Sequence, residues 1–99
     1  MATKDEARNL LRDIGQENCF WVNNGPVLKN LEELSRCLSE MSDDSFSYHA
    51  NKEKNDFSNW LSEVIGDKKL AADIQSARSR ESAAKKVEAR LNSLKKKAQ

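Results

Sequence analysis

The sequence predicts a mainly α fold with a minor β part: a small domain of five to six helices and one short antiparallel β-hairpin at about residues 18–29. Three observations carry this expectation. Phe57, Trp60, Leu61, Val64 and Ile65 recur at helical spacing between Asn55, a capping residue, and Gly66, a helix stop. Capping residues also head most of the other apolar-periodic stretches. Cys19-Phe20-Trp21-Val22 is a run of strand formers, and Asn23-Asn24-Gly25 follows it with residues that tolerate positive φ.

Taken in order, Thr3 and Glu6 form a capping box, so the first helix starts at about Lys4. Ala7, Leu10, Leu11 and Ile14 make its apolar face, and Gly15 is its expected end. The hairpin strands are expected at 18–22 and 26–29, with Pro26 at a strand start where its missing N–H costs nothing. Two strands alone are marginal in water, so they must lie against helices. Phe20 and Trp21 point to opposite faces, so one layer of helices cannot bury both.

Asn30 and Glu33 repeat the capping pattern ahead of Leu31, Leu34, Leu38 and Met41, with Cys37 on the flank, for a helix over 31–41. Ser42 with Asp43 and Asp44 opens a short helix over 43–50 that carries Phe46, Tyr48 and His49. The central helix spans 55–65. Asp67 caps the next one, with Leu70, Ala71 and Ile74 inward. Ser79 caps a last helix, over 80–97, whose seam is Ala84, Val87, Leu91 and Leu94. A break is expected at 78–79. The core should hold Leu10, Ile14, Phe20, Val22, Leu31, Leu34, Leu38, Phe46, Phe57, Trp60, Leu61, Val64, Leu70 and Ile74.

A chain of 99 residues makes one domain, 1–99. Apolar residues are 37% of it, below the usual share even with glycine added, so the core is thin. The last helix, 80–97, is expected to lay its seam on its own domain with a solvated basic face, and it is the first element expected to be peripheral. No apolar run suits a membrane span, and the N-terminus has no signal-peptide core. The expected setting is therefore cytoplasmic, where Cys19 and Cys37 stay reduced and pack as small apolar groups.

Charge is uneven. Residues 1–66 carry 7 basic and 12 acidic side chains, and residues 67–99 carry 10 and 4. An electrostatic partner would therefore meet the basic end. The candidate nucleic-acid contacts are Arg78, Arg80, Lys85, Lys86, Arg90, Lys95, Lys96 and Lys97. No helix-turn-helix, zinc finger or RNP-type motif supports them. Gly15, Gly25 and Gly66 stand apart, which excludes a Gly-rich phosphate loop. The cysteine spacing and the lone His49 match no metal set, and no cofactor is expected.

Several stretches together resemble a family of small prokaryotic domains of unknown function, well represented in archaea. They are Phe20 to Gly25, Val27 to Leu34, Met41 to Phe46, His49, Asn51 to Leu61, Gly66 to Ala71 and Ala77 to Ala84. The resemblance covers about 18–95, and Lys54-Asn55-Asp56-Phe57-Ser58-Asn59-Trp60 is its most specific block. Members often carry a second His where Tyr48 stands. The resemblance implies an ordered module and supplies no reaction or ligand.

His49 and Asp56 flank a short loop, and a carboxylate beside an imidazole is the start of acid–base machinery. No nucleophile is placed with them, so the expected role is to pin the 51–54 loop, and no enzyme is expected. Asn59 is expected to hydrogen-bond the hairpin or a neighbouring loop, the alternative being a solvent-facing contact to a partner. The first functional expectation is a non-catalytic interaction module that takes a protein partner through the hairpin or the C-terminal helix, as a monomer or weak homodimer. Its candidate contacts are Trp21, Asn23, Asn24, His49, Asn55, Asp56 and Asn59. The alternative is a nucleic-acid-associated protein using the basic C-terminal helix.

Overall fold

The computed structural model describes residues 3–77 and 79–99. Among them are six α-helices and one two-stranded antiparallel sheet, a small mainly α domain.

Helix α1 (Lys4–Leu10) starts at Thr3, whose hydroxyl accepts the Glu6 N–H. It ends a turn before Gly15, earlier than the sequence suggests. The following residues are claimed by other elements: Ile14 N–H donates to the Lys29 carbonyl at 2.7 Å, and the Arg12 guanidinium donates to the Val64 and Ile65 carbonyls. After a 3₁₀ turn (Gln16–Asn18), strand β1 (Phe20–Trp21) pairs with β2 (Val27–Leu28). The register sets Phe20 opposite Leu28 and Trp21 opposite Val27. Both strands are shorter than expected. In the connecting turn Asn24 takes the left-handed conformation at φ 57°. Gly25 is required for space, because a Cβ there would lie 2.9 Å from Val22 Cγ1.

Helix α2 (Leu31–Glu40) is capped by Asn30, whose side chain accepts the Glu33 N–H at 2.8 Å. The Glu33 carboxylate reaches back to the Lys29 N–H. Helix α3 (Asp43–His49) is capped by Ser42. Asn55 caps α4 (Asp56–Trp60), and the Ala50–Asn55 bridge closes the loop between α3 and α4.

The central helix departs from expectation in its second half. It runs on as a π turn, Leu61–Ile65, with Gly66 N–H donating to the Leu61 carbonyl five residues back. Gly66 stops it at φ 93°. The wider turn shifts the inward face. Ile65 is buried, while Val64, expected in the core, is half-buried at its edge. The other thirteen expected core residues are buried.

Helix α5 (Lys68–Gln75) is capped by Asp67, and α6 (Arg80–Ala98) by Ser79. They are two helices. The expectation that α6 is peripheral needs correction. Ala83, Val87, Leu91 and Leu94 are buried as α6 packs along α1, α2 and α5. The seam uses Ala83 in place of Ala84. Four apolar residues on one stripe suffice, because the lysine and arginine stems beside them cover apolar surface while their heads reach water. At about 1.5–3 kcal/mol for each large side chain buried, that stripe is a main part of the core. Arg90 on α6 also donates to Asp67 at 2.7 Å, and Asp67 is only 3% exposed. No described helix is long and apolar enough to cross a membrane.

Candidate functional site

Alternation divides the hairpin into two faces. Phe20 and Leu28 point inward and are buried. Their neighbours Trp21 and Val27, paired across the strands, point outward, with Trp21 67% exposed. The inner face is covered by aromatic packing: Phe20 stacks on Phe57 at 5.0 Å and meets Trp60 edge-on at 5.8 Å. The outer face is uncovered.

Beside Val27, the hairpin turn and the second half of α2 enclose an open groove of about 660 Å³, closed at one end by the start of α3. Its floor is apolar, with Val22, Leu28, Cys37 and Met41. Its charged rim holds Glu33, Glu40 and Asp44 against one cation, Arg36. Burial pushes the Cys37 thiol up, and the Glu40 charge adds to that, so the sulfur is an apolar wall atom. Both cysteines are free.

The turn that walls the groove is pinned at Asn23. Its N–H donates to His49 Nε2 at 2.9 Å, and its carbonyl accepts the Ser45 hydroxyl at 3.2 Å. An imidazole nitrogen that accepts an N–H carries no proton, so the proton of His49 is on Nδ1. Nδ1 lies 3.0 Å from Asp56 Oδ2, which therefore accepts it. His49 is 4% exposed, with its ring edge-on to Phe20, Tyr48 and Phe57. Lys54 also donates to Asp56 at 3.0 Å and lies over the Tyr48 ring. Burial pushes the Asp56 carboxyl up, but the hydrogen bonds from His49 and Lys54, with the Lys54 charge, outweigh it. The carboxyl is held below the usual aspartate value.

The polar residues of the central block have separate tasks. Lys54 and Asp56 belong to the His49 network. Asn55 accepts the Ser58 N–H at 3.0 Å and lies 3.5 Å from the Ile74 carbonyl. Asn59, expected to bond a neighbouring loop, is exposed on the helix surface. Asn24 is exposed at the turn tip. The structure thus brings Asn23, His49 and Asp56 into one chain of hydrogen bonds, with Trp21 and Asn24 on the same hairpin.

The basic candidates are divided. Arg80 donates to the Leu38 carbonyl and to Asp43, Arg90 to Asp67, and Lys95 to Glu32. The Lys95 hydrogen bond, and then its charge, holds the Glu32 carboxyl below its usual value. Lys85 and Lys96 are exposed, Lys86 and Lys97 half-buried, and none of the four has an ion pair among the described residues. Arg78 lies outside the described residues. No group of three His, Cys, Asp or Glu side chains among the described residues is placed to hold a metal ion.

Three further polar contacts between distant segments are among those that escaped the sequence reading. Arg12 caps the π turn, Ser58 donates to the Ala71 carbonyl at 2.8 Å, and Trp60 Nε1–H donates to the Asn18 carbonyl at 2.8 Å. Each pairs a side chain with a distant backbone oxygen, and a lone chain carries no local signal for such a pair. Ser58 alone left a hint, as a small polar residue next to Phe57 in an inward position.

A family of unknown function (DUF5752) matches residues 15–94, and the chain belongs to it. No curated protein and no solved structure matches the chain.

Proposed function

We propose that the domain is a non-catalytic interaction module that takes a protein partner on its hairpin side. The observation that carries this reading is the uncovered outer face of a hairpin whose inner face is fully packed. Trp21 stands there beside Val27, and Val27 also lines the groove. Large exposed aromatics beside a groove are favourable contact points, because they offer apolar area at little entropy cost. The rim, three carboxylates to one guanidinium, suits a partner segment that brings apolar side chains flanked by Lys or Arg. Asn24, which lines the groove at the turn tip, extends the same side with a polar group.

His49 supports a binding reading over catalysis. Both ring nitrogens are engaged within the fold, and neither His49 nor Asp56 lines the groove. The free thiols agree with a reducing, cytoplasmic setting. The K-N-D-F-x-N-W block is read as the mark of an archaeal-type member of the family, and its Lys54 and Asp56 belong to the network behind the groove wall. The nucleic-acid alternative rests on Lys85, Lys86, Lys96 and Lys97, because Arg80, Arg90 and Lys95 are held by carboxylates of the same chain.

The test compares the wild type, Trp21→Ser and a Lys85→Glu/Lys96→Glu variant. Each is used as bait for cross-linked capture from a cell extract and is run on size exclusion with a mixed-sequence oligonucleotide at low and high salt. The expected result is a captured protein lost with Trp21→Ser and kept with the lysine variant. Capture indifferent to Trp21, or an oligonucleotide complex that disperses as salt rises, overturns the reading.

A further inference from the structure

We propose that His49 is an acid-operated latch on the groove wall: protonation of its imidazole releases the turn at residues 22–25. The inference rests on the binding reading above for its purpose, since the turn is one wall of that groove.

The geometry is directional. In the neutral ring Nε2 accepts from Asn23 N–H and Nδ1–H donates to Asp56. A second proton must go to Nε2, the only lone pair left on the ring. Nε2–H then faces Asn23 N–H, two donors 2.9 Å apart, and that bond is lost. The opposite contact strengthens, because an imidazolium and a carboxylate form a charge-assisted pair. Asp56 remains charged under conditions that protonate an imidazole, since its carboxyl is held below the usual aspartate value. The ring therefore keeps Asp56 and lets go of Asn23.

The surroundings limit the response to the turn. Around the ring, the charged groups among the described residues are Asp56 on α4 and, through that carboxylate, Lys54 in the 51–54 loop. Tyr48 on α3 presents its ring, and Phe20 on β1 and Phe57 on α4 bring no charge. The Ser45 hydroxyl still holds the Asn23 carbonyl, so the wall pivots about that bond while the helices stay packed. Acidification should thus change the groove without unfolding the domain.

The test is an NMR titration of the free, uniformly ¹⁵N-labelled chain between about pH 8 and pH 5. At the upper end the His49 nitrogens should show the Nδ1–H tautomer. On acidification the Asn23 amide should move upfield and lose its protection factor, with the same midpoint as the His49 ring, while amides of α2 and α6 keep theirs. In His49→Gln, whose side-chain oxygen can accept the Asn23 N–H but gains no proton, the Asn23 shift should be independent of pH. An Asn23 amide that stays protected while the ring titrates overturns the proposal. So does a ring that stays neutral until the whole domain unfolds. If His49→Gln does not fold, the wild-type titration decides alone. No partner is present, so failure of the latch leaves the binding reading standing, and failure to capture a partner leaves the latch standing.

Discussion

The α6 seam and the quarter where the hairpin meets α3 and α4 are held in different ways. Along α6, Ala83, Val87, Leu91 and Leu94 are buried against α1, α2 and α5, and the charged pairs Arg90–Asp67 and Lys95–Glu32 flank them. In the hairpin quarter the apolar contacts are aromatic rings of distant segments: Phe20, Phe46, Phe57 and Trp60. Their positions are fixed by a few hydrogen bonds between distant segments, such as those of Asn23 with His49 and Ser45 and of Trp60 with Asn18. A seam of small and branched aliphatics depends on area, and its strength is spread along the helix. A ring cluster with a few polar pins depends on geometry, so loss of one pin loosens the segment it holds. The second arrangement is the better place for a responsive surface, because local opening needs few bonds to break.

The largest test of this contrast removes the seam. Deleting residues 80–99 should abolish the cooperative thermal melt followed by circular dichroism, since it exposes the faces of α1 and α2 that α6 covers. A truncated chain that still melts cooperatively would show the seam to be dispensable. Next in size is Trp60→Ala, which removes a ring and the Asn18 bond together and should cost about 3–5 kcal/mol in urea unfolding. Full stability in that variant would break the claim that the aromatic cluster organises the hairpin quarter.

A smaller effect sharpens the account of the pins. Asp56→Asn should cost about 1–2 kcal/mol near neutral pH, through two charge-assisted bonds on a partly exposed carboxylate. The folded protein holds this carboxyl below its usual value. Its contribution is therefore complete above the usual aspartate range and is lost as pH falls through the folded value. The gap between wild type and Asp56→Asn should close in that acid window, and urea unfolding at stepped pH reads it. A gap that stays open through that acid window contradicts the assignment. The smallest stability effect belongs to the outer face. Trp21→Ser should lie within about 0.5 kcal/mol of wild type in the same assay, because the ring is 67% exposed. A large loss would mean that Trp21 packs in the fold and is not available to a partner.

Much of the fold was legible. The caps at Thr3, Asn30, Ser42, Asn55, Asp67 and Ser79 all accept the backbone N–H three residues on. They were readable because a cap is a contact within one turn. The candidate site was legible in part. His49 and Asp56 were paired from their spacing across a short loop, whereas the Asn23 N–H that fixes the ring's tautomer is 26 residues away. The π turn was not legible, since the 3.6-residue pattern of Phe57 to Ile65 fits an ordinary helix equally well. The seam of α6 was legible at Val87, Leu91 and Leu94, but a lysine-rich surface masks how far the helix is drawn into the core.

By itself, then, the sequence determined the local elements: where helices start, where the hairpin turns, and that Phe20 and Trp21 must face opposite ways. These follow from backbone sterics, capping and side-chain period, all of which act over a few residues. Tertiary structure alone decided which aromatic was covered, which face of the π turn went inward, and how far the basic helix was drawn into the core. It also decided that His49 holds the turn beside the groove. Those outcomes depend on which distant surfaces meet, and on polar groups finding partners tens of residues away, so no local pattern records them.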